Sequence, residues 1–236
     1  MIRVTVWNEY RKEFMYEETK ALFPDGMHNF IADFLKDEDI VTQTAWLDQE
    51  NNGITDELLE NTDVLIWWSH GCWQEVKDEV AEKVKQYVLN GMGFIALHSA
   101  HTAKPFTKLM GTTCSLRWRE DSRERLWCCN PAHPIAKGIP PYVDINVEEM
   151  YGEYFDIPTP DDVVFLGWFN SGEAIRAGVT FTRGLGKIFY FQPGHETYPT
   201  YQIPEIQQII RNAVRWAAPN LKMELKCEKT EPLEEE

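Results

Sequence analysis

The chain has 236 residues, of which 43% are hydrophobic, 26% charged and 13% aromatic. Such a composition supports a substantial core and excludes a disordered chain or a disulfide-stapled miniprotein. The 38 acidic residues outnumber the 23 basic ones, and the net charge of -15 argues against nucleic acid or an anionic membrane surface as a partner. We expect one domain over residues 1–218 and an acidic, solvated tail over residues 219–236.

The beginning of the chain enters a strand pattern directly, without the basic and long apolar segments of a secretory signal. The longest apolar stretches, 64–68 and 94–97, are too short to cross a bilayer. The five cysteines are odd in number and lack the CxxC spacing of a structural metal site. We therefore expect a soluble, cytoplasmic protein with reduced thiols.

Predicted strands and helices alternate through the first hundred residues. The apolar patterns predict strands at 2–7, 41–47, 63–68 and 93–97, with helices at 28–36 and 73–90. The segment 63–68 is nearly all apolar, as a strand covered on both faces would be, and is predicted to lie at the centre of the sheet. This alternation indicates right-handed crossovers, so the sequence predicts an α/β fold with a doubly wound, mainly parallel sheet and helices on both faces.

The pattern changes between residues 111 and 160, where four arginines crowd together and six prolines follow. We expect long irregular excursions around the site here, with the arginines compensated by the acids between them rather than binding an anion. Strands are predicted at 163–168, 177–183 and 187–191, the last two joined by a turn at 184–186. A final helix is predicted at 204–217.

Three histidines follow predicted strands: His70, His98 and His195. Because ligands bind outside the carboxyl ends of the strands in an open parallel sheet, we expect the three side chains to point into one cleft. His28, Asn8 and Glu9 are predicted to reach the same edge as substrate-binding residues. Alternatively, each histidine is a strand-end residue bonded to a loop carbonyl.

The three histidines suit a divalent metal, with zinc the leading candidate and one position left open for catalysis. No HExxH spacing is present, so the ligands would have to come from separate loops. The alternative is metal-free acid and base catalysis, in which a histidine pairs with Glu196, Glu149 or Glu153.

A cysteine hydrolase is a further hypothesis, because Cys72 lies near a helix N-terminus where thiolates are stabilised. The tryptophans are mostly core candidates, although one beside a polar cleft would suit stacking against a sugar ring. No GxGxxG cradle is visible, so we expect no nucleotide cofactor. The sequence leaves a homo-oligomer open.

Four segments in chain order resemble the ThuA-like family, which is named for trehalose utilisation. They are residues 94–100 (FIALHSA), 130–140 (NPAHPIAKGIP), 148–151 (EEMY) and 186–196 (GKIFYFQPGHE). The resemblance implies a fold similar to class I glutamine amidotransferases, with a flavodoxin-like sheet. Those enzymes carry a nucleophilic cysteine at a strand-to-helix elbow, whereas this chain has His98 and Ser99 there, so glutamine hydrolysis is not expected.

The family name implies an enzyme of sugar catabolism that acts on trehalose, a related disaccharide or a keto derivative. In a 3-keto sugar the ketone acidifies the C2 proton, so a base such as Glu149 or Glu196 can remove it while His70, His98 and His195 hold a metal. Ser99 and Tyr151 complete the predicted substrate-binding residues. The rival hypotheses are a hydrolase with Cys72 or Ser99 as nucleophile, and a non-catalytic sugar-binding or regulatory protein.

Overall fold

The computed structural model describes residues 1–234, which form nine strands and seven α helices. The strands are β1 (Ile2–Asn8), β2 (Ile40–Trp46), β3 (Val64–Trp68), β4 (Gly93–Leu97), β5 (Arg117–Cys128), β6 (Tyr142–Gly152), β7 (Asp162–Phe169), β8 (Ala174–Arg183) and β9 (Gly186–Phe191). The helices are α1 (Lys12–Met15), α2 (Glu17–Leu22), α3 (Met27–Leu35), α4 (Asp56–Glu60), α5 (Asp78–Leu89), α6 (Lys104–Met110) and α7 (Pro204–Ala217).

All nine strands belong to one mixed sheet in the order β2-β1-β3-β4-β9-β8-β7-β5-β6. The first four pairings, from β2 to β9, are parallel, and we call these five strands the parallel part. The last four pairings are antiparallel, and β8, β7, β5 and β6 form the antiparallel part. The α/β class is confirmed, but the sheet is less uniformly parallel than the sequence predicted.

The apolar runs form the buried interior of the parallel part. All five residues of β3 and all five of β4 are buried, as expected for strands covered on both faces. The strand β3 is central in the parallel part, although not in the whole sheet. Helix α3 packs with α7, and α5 packs with α6. The connection from β1 to β2 runs one way along the sheet and the connections to β3 and β4 run the other way, so the topological switch point lies between β1 and β3.

The predicted helix at 73–90 is shorter than expected, because 73–75 form a separate 3₁₀ turn and α5 begins at Asp78. It ends as predicted, with Gly91 at a φ of 116° after the last turn. The final helix has the predicted bounds. The short helices α1 and α2 were not predicted.

The segment 111–160 was predicted to be irregular, and this was wrong. It contains the long antiparallel pair β5 and β6. Its prolines at 131, 134, 140 and 141 lie between the two strands and those at 158 and 160 lie after β6, so none interrupts the hydrogen-bonded ladder. The arginines are compensated as expected, but by partners on other segments: Arg119 pairs with Glu173, and Arg123 and Arg125 pair with Asp144.

The tail predicted from residue 219 remains attached at its beginning. Lys222 Nζ lies 2.7 Å from Asp63 Oδ1, and Met223 N donates to Asn90 O. The last two residues of the predicted tail, 235 and 236, lie outside the described residues. No helix within residues 1–234 has the length and apolar character required to cross a membrane.

Candidate functional site

The structure brings His70, His98 and His195 together. They follow β3, β4 and β9, which are neighbours in the sheet, so their side chains meet at one edge. The three ring centroids lie 5.1 to 5.6 Å apart. One ligand atom from each histidine and one carboxylate oxygen of Glu196 lie within 4.8 Å of one another. We call these four residues the His/Glu cluster.

His98 occupies the sharp turn between β4 and the following 3₁₀ helix. Its φ of 54° is rare for a residue with a side chain and marks a locally strained backbone, as at a nucleophile elbow. Its Nδ1 lies 2.9 Å from the carbonyl oxygen of Gln192, so Nδ1–H donates to this oxygen and Nε2 faces the cluster. The elbow therefore presents an imidazole to the cluster.

Glu196 is a buried carboxylate at the centre of these contacts. Its Oε2 lies 2.7 Å from His70 Nδ1 and 3.6 Å from His195 Nε2, and its Oε1 lies 3.5 Å from Lys12 Nζ. Burial would raise the pKa of Glu196, but the hydrogen bond from His70 and the surrounding imidazoles lower it to about 2. Lys12 comes from α1, and no strand-end pattern in the sequence pointed to it.

His195 is held by the residue two positions later. The backbone N–H and the hydroxyl of Thr197 lie 3.2 and 2.9 Å from His195 Nδ1. Because Nδ1 accepts the backbone N–H, the proton of the neutral ring sits on Nε2. Burial, followed by the charge of His98, lowers the pKa of His195 to about 4, so the ring is neutral near pH 7.

Glu149 reaches the cluster from β6, in the antiparallel part. Its Oε2 lies 3.0 Å from His98 Nε2, although the contact is not aligned as a hydrogen bond. Burial would lower the pKa of His98 and raise that of Glu149, but their mutual contact shifts both in the opposite directions. Each group thus favours the charged form of the other, and Glu149 directs an acceptor oxygen at the site.

Glu148, which sequence reasoning did not single out as a site residue, organises the loop after β9. Its carboxylate accepts hydrogen bonds from Gly194 N, His195 N and the Thr200 hydroxyl at 2.7 to 3.1 Å. It also accepts from the backbone N–H of Glu149 at 2.9 Å. One buried carboxylate thus fixes both His195 and Glu149. The adjacent acids in the motif EEMY were the signal available in the sequence.

Asn8 and His28, predicted to bind substrate, lie in a separate buried cluster. Asn8 Nδ2 donates to Glu13 Oε1 at 2.8 Å and lies 3.4 Å from His28 Nδ1. His28 also packs against Tyr10 and Trp46. The polar contacts of Asn8 and His28 are therefore internal to this cluster. Its partner Glu13 comes from α1, one of two short helices that lie between β1 and α3.

Glu9 holds the loop that carries His70. It accepts from the Ser69 hydroxyl at 2.5 Å and from Cys72 N at 3.0 and 3.1 Å. This places Glu9 behind the loop as a positioning residue. Glu153, the other acid considered as a histidine partner, instead pairs with Arg176 at 2.8 Å.

Within residues 1–234, neither candidate nucleophile has a base in hydrogen-bond contact. Ser99 Oγ lies 2.5 Å from the Tyr151 hydroxyl, and burial raises the pKa of Tyr151 well above its ordinary value, so this phenol is a poor base. Burial and then the charges of Glu9 and Glu75 raise the pKa of Cys72, which disfavours its thiolate. Tyr151 also stacks on His98.

Two adjacent hollows, each of about 280 Å³, lie beside the His/Glu cluster. Both are lined by His70, Trp118 and Glu149. The apolar lobe is further lined by Gly71, Trp73, Ser99, His101, Thr102, Ser115, Leu116 and Tyr151. The polar lobe is further lined by Lys12, Tyr16, Glu120, His195, Glu196 and Tyr198. Of the predicted substrate-binding residues, Ser99 and Tyr151 thus line the apolar lobe.

Solved structures share this fold at low sequence identity. A cytoplasmic protein from Salmonella typhimurium has a TM-score of 0.65 at 16% identity, covering 93% of this chain and 100% of that one. A ThuA-like protein from Parabacteroides merdae has a TM-score of 0.63 at 14% identity, covering 94% and 92%. A glutamine amidotransferase from Thermotoga maritima has a TM-score of 0.50 at 11% identity, covering 92% and 97%. Among curated proteins, no sequence matches this chain.

The fold is therefore that of the glutamine amidotransferase-like α/β proteins, and the elbow of this chain carries histidine. The family described as ThuA, trehalose utilisation, matches residues 3–217. The chain belongs to this family, which confirms the resemblance seen in its four sequence segments.

Proposed function

We propose that this protein is a carbohydrate-active enzyme that holds a divalent metal ion, with zinc as the leading candidate, at His70, His98, His195 and Glu196. Its proposed substrate is a disaccharide such as trehalose or a keto derivative of it. The observation that carries the proposal is the convergence of these four ligand atoms within 4.8 Å at the carboxyl edge of the sheet. The description of the family supports a sugar as substrate.

The donor set suits zinc, which binds imidazole nitrogens and carboxylate oxygens. The His98 Nδ1–H bond to Gln192 O is the outer contact that typically fixes a ligating imidazole. Ligation through His195 Nε2 requires the other tautomer, in which Nδ1–H donates to the Thr197 hydroxyl. In that tautomer the Thr197 hydroxyl accepts from Nδ1–H and the donation from Thr197 N to Nδ1 is given up, so the donor set fits the metal after this one exchange of hydrogen bonds.

The residues around the cluster support removal of a proton next to a ketone. A divalent metal held by the His/Glu cluster would supply positive charge that stabilises negative charge on the ketone oxygen of a 3-keto sugar. Glu149 takes the C2 proton, and the C–H electron pair moves into the C2–C3 enolate. Re-formation of the ketone then expels the C1 oxygen substituent and leaves a C1–C2 double bond. The departing oxygen takes up the proton that Glu149 received.

The charges of the two lobes favour a neutral sugar over a phosphorylated one. Among the described lining residues, the acids Glu120, Glu149 and Glu196 face a single lysine, Lys12. A phosphate would therefore meet no excess of positive charge there, even with a divalent ion bound, because the ion only balances the remaining acids.

Metal analysis on protein purified without a histidine tag tests the metal site. We expect about one zinc or manganese per chain in the wild type and less than about a tenth of this in His98→Ala and His195→Ala. His133→Ala is the matched control, because His133 packs against Trp216 and lies outside the cluster. Equal metal content in all four proteins, or none in the wild type, would contradict the proposal.

The reaction is tested with 3-keto-trehalose as substrate, with loss of substrate followed by mass spectrometry. We expect turnover by the wild type and by His133→Ala, and none by His98→Ala. Binding of the sugar with no product in any sample would instead identify a non-catalytic sugar-binding protein. Labelling by a thiol or serine reagent that abolishes turnover would favour the Cys72 or Ser99 hydrolase.

A further inference from the structure

The cleft divides into two lobes of similar size and different chemistry. Each has a volume of about 280 Å³, so the two together fall in the range of roughly 300–1,000 Å³ that is usual for small-molecule sites. The polar lobe contains His195 and Glu196 of the His/Glu cluster. The apolar lobe shares His70, Glu149 and Trp118 with the polar lobe and is further walled by Trp73 and Leu116.

Trp118 is the wall that the two lobes share. It lies on β5 in register with Tyr151 on β6, so the β5–β6 pair carries it over the cluster. Its side chain is 62% exposed, which is unusual for a tryptophan in a chain whose other large aromatic side chains are mostly buried. An exposed aromatic ring beside acids and hydroxyls matches the two faces of a sugar ring, which are apolar in the middle and polar at the rim.

We propose that the apolar lobe is the subsite for the second ring of a disaccharide and that Trp118 determines specificity for two-ring sugars. This inference rests on the proposed function, in which the reacting ring lies in the polar lobe. There Lys12, Glu120 and Tyr198 offer hydrogen bonds to its hydroxyl groups. A monosaccharide fills only one lobe and gains nothing from the other. Glu149 lines both lobes and is placed at the bond that joins the two rings.

Calorimetric titration of the purified protein with trehalose and with glucose tests the subsite. We expect trehalose to bind at least about tenfold more tightly than glucose in the wild type. In Trp118→Ala we expect trehalose binding to weaken by about tenfold while glucose binding changes less than about twofold, and Trp118→Phe to restore most of the loss. Trp127→Ala is the matched control, because Trp127 lies on the same strand, is 37% exposed and packs on Tyr142 away from both lobes.

The outcomes separate this inference from the proposed function. Selective loss of trehalose binding in Trp118→Ala supports the subsite even if no turnover or metal is found. Equal losses for trehalose and glucose, or the same loss in Trp127→Ala, overturn the subsite even if the histidine variants lose metal and activity. Equal affinity of the wild type for the two sugars, or no trehalose binding, also overturns it.

Discussion

The parallel and antiparallel parts of the sheet contribute different chemistry to the site. The parallel part supplies three imidazoles, each from a loop that directly follows a strand. The antiparallel part supplies Glu149, Tyr151 and Trp118 from within the long strands β5 and β6. Strand ends in a parallel sheet converge by topology, whereas residues within a strand reach a site only through its register.

The two parts are joined at the site by a buried carboxylate. Glu148 lies on β6 and accepts hydrogen bonds from the loop after β9 and from the backbone of Glu149. The antiparallel part therefore does more than cover the edge of the sheet. It sets the position of a histidine that belongs to the parallel part, and this dependence can be tested by substitution.

Removing the proposed base should have the largest effect. We expect Glu149→Gln to lower kcat on 3-keto-trehalose by about 10²–10⁴-fold, because a positioned general base contributes about this much, while bound metal is retained. Initial rates and metal analysis measure the two effects. Glu153→Gln is the control, since Glu153 pairs with Arg176. Unchanged kcat in Glu149→Gln would mean that the antiparallel part supplies no base.

Removing the link between the two parts should mainly affect stability. Glu148→Ala leaves buried backbone N–H groups of Gly194 and His195 without an acceptor, and we expect it to lower the free energy of unfolding by about 2–4 kcal/mol. Urea unfolding measures this change. Glu148→Gln keeps one acceptor oxygen and should lose less. The exposed Glu60→Ala should change stability by less than about 0.5 kcal/mol, and an equal loss there would refute the link.

A smaller, pH-dependent effect is expected at the start of β3, at the end of the parallel strands that lies away from the site. Burial would raise the pKa of Asp63, but hydrogen bonds from Arg3 and Lys222 hold it well below its ordinary value. A lowered folded-state pKa stabilises the protein above the unfolded pKa near 4, and this stabilisation is lost as the pH falls through the folded value. We expect Asp63→Asn to melt about 2–4 °C below the wild type at pH 7.

The same measurement at lower pH checks the sign of this effect. The difference in melting temperature between the wild type and Asp63→Asn should shrink as the pH falls from about 4 towards 2, because the wild-type carboxylate becomes protonated. Metal content should not change at pH 7, since Asp63 lies at the start of β3 and the His/Glu cluster follows the strand ends. A gap that widens in acid would contradict the role assigned to Asp63.

The smallest effect is expected on the exposed face of the antiparallel part. Asp144 contacts Arg123 and Arg125 at 2.6 and 3.0 Å, but all three side chains are partly solvated. We expect Asp144→Asn to lower the free energy of unfolding by less than about 1 kcal/mol, and this loss should disappear in about 1 M salt. A large loss that persists in salt would show that this part depends on its surface charges.

Sequence patterns predicted the parallel part well and the antiparallel part poorly. The apolar runs at 63–68 and 93–97 become buried strands, and the alternation with helices correctly indicates their parallel pairing. In contrast, β5 reads as a charged segment because most of its arginines and acids face solvent. Only Ser122, Glu124 and Leu126 are buried, in an alternating pattern. The many prolines nearby indicated irregular structure, because the sequence alone does not show that they lie outside the strands.

The sequence by itself determined that His70, His98 and His195 would meet, because each follows a strand of the parallel part and such strand ends share one edge. Tertiary structure alone decided the rest of the site. It paired Glu149 with His98, withdrew Asn8 and His28 into their own cluster, and placed Trp118 over the cleft. These outcomes depend on contacts between distant segments and on a β5–β6 register with two irregularities, which no local pattern encodes.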